Sequence, residues 1–144
     1  MTAKEFLSQA KQLDHLIRFK HDQAQKYYDA ATQANTALSD MPSAKAPDIH
    51  RMGDAVADMV DVKNEIKADL SRLLEIKADI IRTINKVDNI TYQTLLSLRY
   101  LNFKRWHEIM NILGYESRYI YKLHNKALEK VDIIRDHQAL ASKK

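Results

Sequence analysis

Residues 106–128 read WHEIMNILGYESRYIYKLHNKAL, and the fold turns on how this stretch divides. Trp106, Ile109, Met110 and Leu113 recur at intervals of three and four, the period of one helix face. Gly114 follows at once, where a left-handed backbone ends a helix at low steric cost. A second helix is expected three residues later, with Ser117 as its candidate cap. Its apolar arc is Ile120, Leu123, His124, Ala127 and Val131. The opposite arc carries Arg118, Lys122, Asn125 and Glu129, with Tyr121 and Lys126 at its edges. Helix, glycine turn, and a second helix with a basic, amide-bearing front form the layout of a helix-turn-helix. Such a helix fits the major groove of duplex DNA, where Arg, Lys and Asn read base edges or hold phosphates. The plainer reading is a helical hairpin that only closes a core.

Upstream, Tyr92, Leu95, Leu96, Leu98 and Leu101 fall on one broad face of a short helix, with a break expected over residues 102–104. Further back the period lengthens to seven. Ala3, Ala10, Ile17, Ala24, Ala31 and Leu38 form one ladder. Phe6, Leu13, Lys20, Tyr27 and Ala34 form a second, broken only by Lys20. Such paired ladders make one face of a long helix that wants a partner helix. Residues 39–51 hold both prolines and read as a connection, after which Asp48 or Asp54 is a candidate cap. Met52, Met59, Ile66, Leu73, Ile80 and Val87 then climb at sevens again, flanked by Val56, Leu70 and Ile84 and by Val62, Ile76 and Ile90. The expected architecture is all-α: a long antiparallel, coiled-coil-like helical hairpin over residues 1–90, then a helix-turn-helix domain over 91–144. A lone hairpin buries little, so a homodimer is expected, with Ile17, Ile66, Leu73 and Ile80 at the association face.

Composition agrees with this class. In 144 residues there are only two glycines and two prolines, too few turn formers to punctuate a multi-stranded sheet. Cysteine is absent, so there is neither a disulfide frame nor a thiolate metal site, and a cytoplasmic location is expected. The opening MTAKEFLSQAKQLD has no apolar signal core, and no apolar run reaches the roughly 20 residues that span a bilayer. Charge is divided unevenly. Residues 1–90 carry 13 Lys and Arg against 14 Asp and Glu, whereas residues 91–144 carry 10 against 5. A basic module beside a neutral one is the electrostatic footprint of a polyanion binder.

Catalytic and cofactor chemistry finds no footing. His107-Glu108 starts like a zinc-binding H-E-x-x-H, but Asn111 stands where the second histidine belongs. His124 lies on the apolar arc and reads as a packed or hydrogen-bonded histidine rather than a ligand. With glycines only at 53 and 114 there is no phosphate-cradling loop. No enzyme, metal or cofactor is expected.

The residues LLSLRYLNFKRWHEIMNILGYESRYIYKLHNKALEKV resemble region 4 of sigma-70-type factors. That pattern runs LRY, a short loop, aromatic-x-E-I-A-x-x-L-G, and a helix ending K-A-L-x-x-L. The stretch is also similar to prophage and mobile-element proteins with this module behind N-terminal helices, in the neighbourhood of the ArpU and RinA type of phage late transcription regulators. The likeness covers about residues 91–131. It implies a regulator of phage or mobile-element genes that binds specific double-stranded DNA through Ser117, Arg118, Tyr121 and Lys122 in the major groove, with Asn125 and Lys126 beside them. Arg99, Lys104 and Arg105 would lie at the flanking phosphates, and RNA polymerase is a second partner the resemblance admits. Two positions depart from the pattern: Met110 stands where a small residue is usual, and LNFKR lacks the loop glycine that usually follows LRY. The competing readings are a DNA-packaging recognition subunit of the small-terminase kind and a sigma-like module that binds proteins without DNA.

Overall fold

A computed structural model describes residues 1–40 and 49–142, with side chains for 1–32 and 50–142. Among the described residues every regular element is an α-helix: α1 Ala3–Asp40, α2 Ile49–Asn85, α3 Ile90–Tyr100, α4 Trp106–Leu113 and α5 Ser117–Ser142. The all-α class read from the composition is therefore observed. The connection is narrower than expected, because residues 39–40 and 49–51 are helical. Residues 41–48, with the candidate cap Asp48, lie outside the described residues. Asp54 sits inside α2 and caps nothing.

The chain forms two compact units, and their boundary runs through both long helices rather than near residue 90. One unit comprises Met1–Leu13 with Leu73–Lys144; the other is Asp14–Arg72. In the first, α3 packs on α4 and α5, and α4 packs on α5. Its core joins Leu7 of α1, Ile80 of α2, Leu95 and Leu96 of α3, Ile109 of α4, and Ile120 and Val131 of α5, all fully buried. Each such side chain stabilises the fold by roughly 1.5–3 kcal/mol through removal of apolar surface from water.

The start of α1 belongs to this unit because α5 runs on past Val131 to Ser142 and holds it. The Ala3 backbone N–H donates to Asp132 Oδ1 at 3.0 Å. Arg135 lies 4.4 Å over the Phe6 ring and donates to the carbonyls of Met1 and Thr2 at 3.1 and 3.5 Å. An acid at a helix N-terminus satisfies an otherwise unpaired N–H and complements the helix dipole.

In the second unit, Ile17, Ala24, Val62 and Ile66 are buried. Lys20, which interrupts the apolar ladder of α1, donates to Asp69 of α2 at 2.5 Å and lies 3.5 Å from Glu65. Asp69 is only 6% exposed, so the break in the ladder is one half of a nearly buried ion pair.

Ile17, Ile66, Leu73 and Ile80, expected to face a second copy, are 5%, 4%, 7% and 0% exposed within the single chain. Their apolar surface is already covered. A second copy would have to meet other side chains. No helix among the described residues is long and apolar enough to cross a membrane.

Candidate functional site

The site is built on α3, α4 and α5, and each helix has a local reason to start or stop where it does. Asn89 caps α3, its Oδ1 accepting from the N–H groups of Thr91 and Tyr92 at 2.9 and 3.2 Å. Gly114 ends α4 at φ 74°, and its N–H donates to the Met110 carbonyl at 2.8 Å. Nothing lies within 4 Å of where a Cβ would stand, so the glycine serves the left-handed turn and not a close approach. Ser117 is the first residue of α5 rather than its cap, and the Glu116 carbonyl accepts the first helical bond, from the Ile120 N–H.

The loop between α3 and α4 explains one departure from the sigma-like pattern. Phe103 takes φ 57°, the left-handed conformation that a glycine adopts freely. For a residue with a Cβ this costs roughly 1–2 kcal/mol. Lys77 of α2 lies 5.3 Å from the centre of the Phe103 ring, a cation–π contact that offsets part of the cost. Met110, the other departure, is half-buried on α4.

Ile120, Leu123, His124, Ala127 and Val131 form the buried back of α5. Arg118, Tyr121, Lys122, Asn125 and Lys126 are all exposed, as is Ser117. Helical spacing puts Arg118, Tyr121, Lys122 and Asn125 on successive turns of one side. The front thus offers a guanidinium, a phenol, an ammonium and an amide over a rigid apolar back. Among the described residues none of Arg118, Lys122 and Lys126 is ion-paired. Such a strip can hydrogen-bond base edges and neutralise phosphates.

The flank residues divide. Lys104 and Arg105 are exposed. Arg99 is not free in the same sense: its guanidinium lies 4.6 Å over the Trp106 ring and donates to the Lys104 carbonyl at 3.1 Å. Its place is to shape the loop before α4. Tyr121 is 48% exposed but tilts against Trp106 with ring centres 5.3 Å apart, which holds it at the edge of the front.

Behind the front, Tyr100 Oη and His124 Nε2 stand 2.6 Å apart, and the Trp106 and His124 rings form a T-shaped pair with centres 4.7 Å apart. Burial lowers the His124 pKa to about 4, with the charges of Lys4 and Arg99 acting in the same direction. The imidazole is therefore neutral near pH 7, and its tautomer sets which of the two groups donates. Burial also raises the Tyr100 pKa, against a smaller opposing effect of Arg99. His124 is a packed core group, as its place on the apolar arc suggests.

Three tyrosines stand beside this front, of which Tyr92 reads in the sequence only as part of an apolar helix face. Tyr115 and Tyr119 pack edge-on with ring centres 4.8 Å apart, and Tyr92 of α3 lines a cavity with Tyr119 and Lys122. The four-residue spacing of Tyr115 and Tyr119 was a weak signal for a shared face, and nothing local pointed to Tyr92.

The family described as "Protein of unknown function (DUF1492)" matches residues 45–132. The chain belongs to this family. No curated protein and no solved structure matches it. In this DUF1492 chain the matched span holds α2, α3, α4 and α5 as far as Asp132, including the whole basic front, and leaves out α1.

Proposed function

We propose that this protein is a sequence-specific double-stranded DNA-binding regulator of transcription, of phage or mobile-element type, whose α5 enters the major groove as the second helix of a helix-turn-helix. One observation carries the reading: Arg118, Tyr121, Lys122 and Asn125 stand exposed on one side of a helix whose other side is fully packed. Rigid backing matters because a base-reading side chain must arrive at a fixed position to discriminate. Phosphate contacts from the basic C-terminal third supply most of the affinity, and the front of α5 supplies the preference among sequences.

In this reading α1 and α2 form an antiparallel hairpin. The ion pair of Lys20 on α1 with Asp69 on α2 supports this reading. A second copy would use exposed apolar groups of α2 such as Val56, Val60 and Leu70, and a dimer would present two reading helices at once.

The test is selection of bound fragments from a random duplex pool, followed by titration of the recovered duplex. Lys122→Ala is expected to weaken binding. Arg118→Ala should weaken it and also relax preference at one base position, by roughly 1–3 kcal/mol of lost discrimination. Unchanged affinity and preference in both folded variants would sink the groove-reading assignment.

A further inference from the structure

Beside the front of α5 lies a partly open cavity of about 220 Å³. Asn89, Thr91 and Tyr92 line it from the start of α3, and Tyr119, Lys122 and Lys126 from α5. Its lining holds two ammonium groups, phenol and threonine hydroxyls, and no carboxylate. The Tyr115 ring, edge-on to Tyr119, completes the wall. The N–H groups of Thr91 and Tyr92 are occupied by Asn89 Oδ1, so the donors left for an occupant are the lysines, the hydroxyls and the Asn89 side-chain NH2. Two cations that are unpaired among the described residues, together with these neutral donors, suit a small anionic group with several acceptor oxygens.

The position of the cavity narrows that group further. Lys122 lines the cavity and also stands in the exposed front of α5, so an occupant sits directly beside whatever that front touches. A helix lying in the major groove has a strand of phosphates along its side. Next to the cavity is a second hollow lined by Asp88, Asn89, Tyr92 and Lys130, where the Asp88 carboxylate repels further negative charge. We infer that the cavity seats a single backbone phosphate of the duplex that α5 reads, with Lys126 as its ion partner and the Tyr119 hydroxyl as a donor. The inference rests on the DNA-binding reading and changes the role of Lys126. It becomes an anchor that sets the register of α5 and does not discriminate among bases.

The experiment measures affinity for a selected duplex and for a scrambled duplex of equal length, over a range of salt concentrations. Each phosphate neutralised adds about 0.9 to the slope of log affinity against log salt. Lys126→Gln is expected to lower that slope by about one and to weaken both duplexes alike. Tyr119→Phe keeps the ring pair and is expected to cost about fivefold in affinity with the slope unchanged, as for one lost neutral hydrogen bond. Thermal unfolding of each variant confirms the fold. If wild type binds the duplex and Lys126→Gln leaves the slope alone, or alters the base preference, the phosphate seat is wrong and the DNA reading survives. If wild type shows no salt-dependent duplex binding, both fall. A parallel arm uses inorganic phosphate alone. Stabilisation of wild type that Lys126→Gln abolishes, with an unaltered duplex slope, marks a small-anion site and overturns the inference.

Discussion

His124 is a titratable group held neutral in the α3–α4–α5 core, and this has a consequence for stability. Its pKa is about 4 when folded against an ordinary 6.5, so the unfolded chain takes up the proton first. The contribution is present in full above pH 6.5 and is lost as pH falls from there toward 4. With allowance for partial solvent screening, the loss is on the order of 2 kcal/mol. Urea unfolding at pH 7.5 and 4.5 should show wild type losing about that much more than Tyr100→Phe/His124→Leu, which has no proton to take up. Equal losses in both proteins would mean that the imidazole is not buried as described. At this scale the sequence was partly legible. Gly114 announces a left-handed turn because glycine is the residue that adopts it freely. Phe103 gives no such sign, since its φ of 57° is held by tertiary contacts such as that with Lys77.

Within and between helices, seven-residue ladders located α1 and α2 because burial on one face imposes that period. They could not name the partner of Lys20. A lysine on an apolar stripe can reach solvent along its own stem or pair with any nearby acid, and Asp69 lies 49 residues away. The hydrogen bond to Asp69 raises the Lys20 pKa above its ordinary value, so Lys20 keeps its charge at neutral pH and gives it up as pH rises through that higher value. Lys20→Leu alone leaves the nearly buried Asp69 with only the longer contact to Arg72, at 3.8 Å, and is expected to lower the melting temperature. Lys20→Leu/Asp69→Leu should recover the loss or exceed it, because a buried ion pair often stabilises no more than well-packed apolar groups. Thermal melts of the two variants and wild type form the check, and a double variant as unstable as the single would contradict it. The hold of α5 on the start of α1 was illegible for a different reason. Asp132 and Arg135 look like ordinary surface charges until the chain brings Ala3 and Phe6 to them.

For the molecule as a whole, the ladder that suggested association mixes two roles that only three dimensions separate. A period of seven marks residues that face some helix, and the chain supplies that helix itself for Ile17, Ile66, Leu73 and Ile80. Dimerisation, if it raises DNA affinity as proposed, must draw on apolar groups left outside, of which Val60 and Leu70 are 47% and 42% exposed. The two sets therefore predict different phenotypes. Ile66→Asp places a charge among buried apolar groups and is expected to destabilise the fold by roughly 3 kcal/mol or more, read as loss of helical signal. Val60→Glu/Leu70→Glu adds charge at exposed positions and should change stability by less than about 1 kcal/mol. In light scattering, wild type is expected at twice 16.7 kDa and the Val60/Leu70 variant at 16.7 kDa with its helices intact. The same variant should bind a duplex carrying two half-sites no more tightly than one carrying a single half-site, because the bivalent gain is gone. A wild type that runs as a monomer would remove dimerisation from the proposal and leave the single reading helix to account for all the affinity.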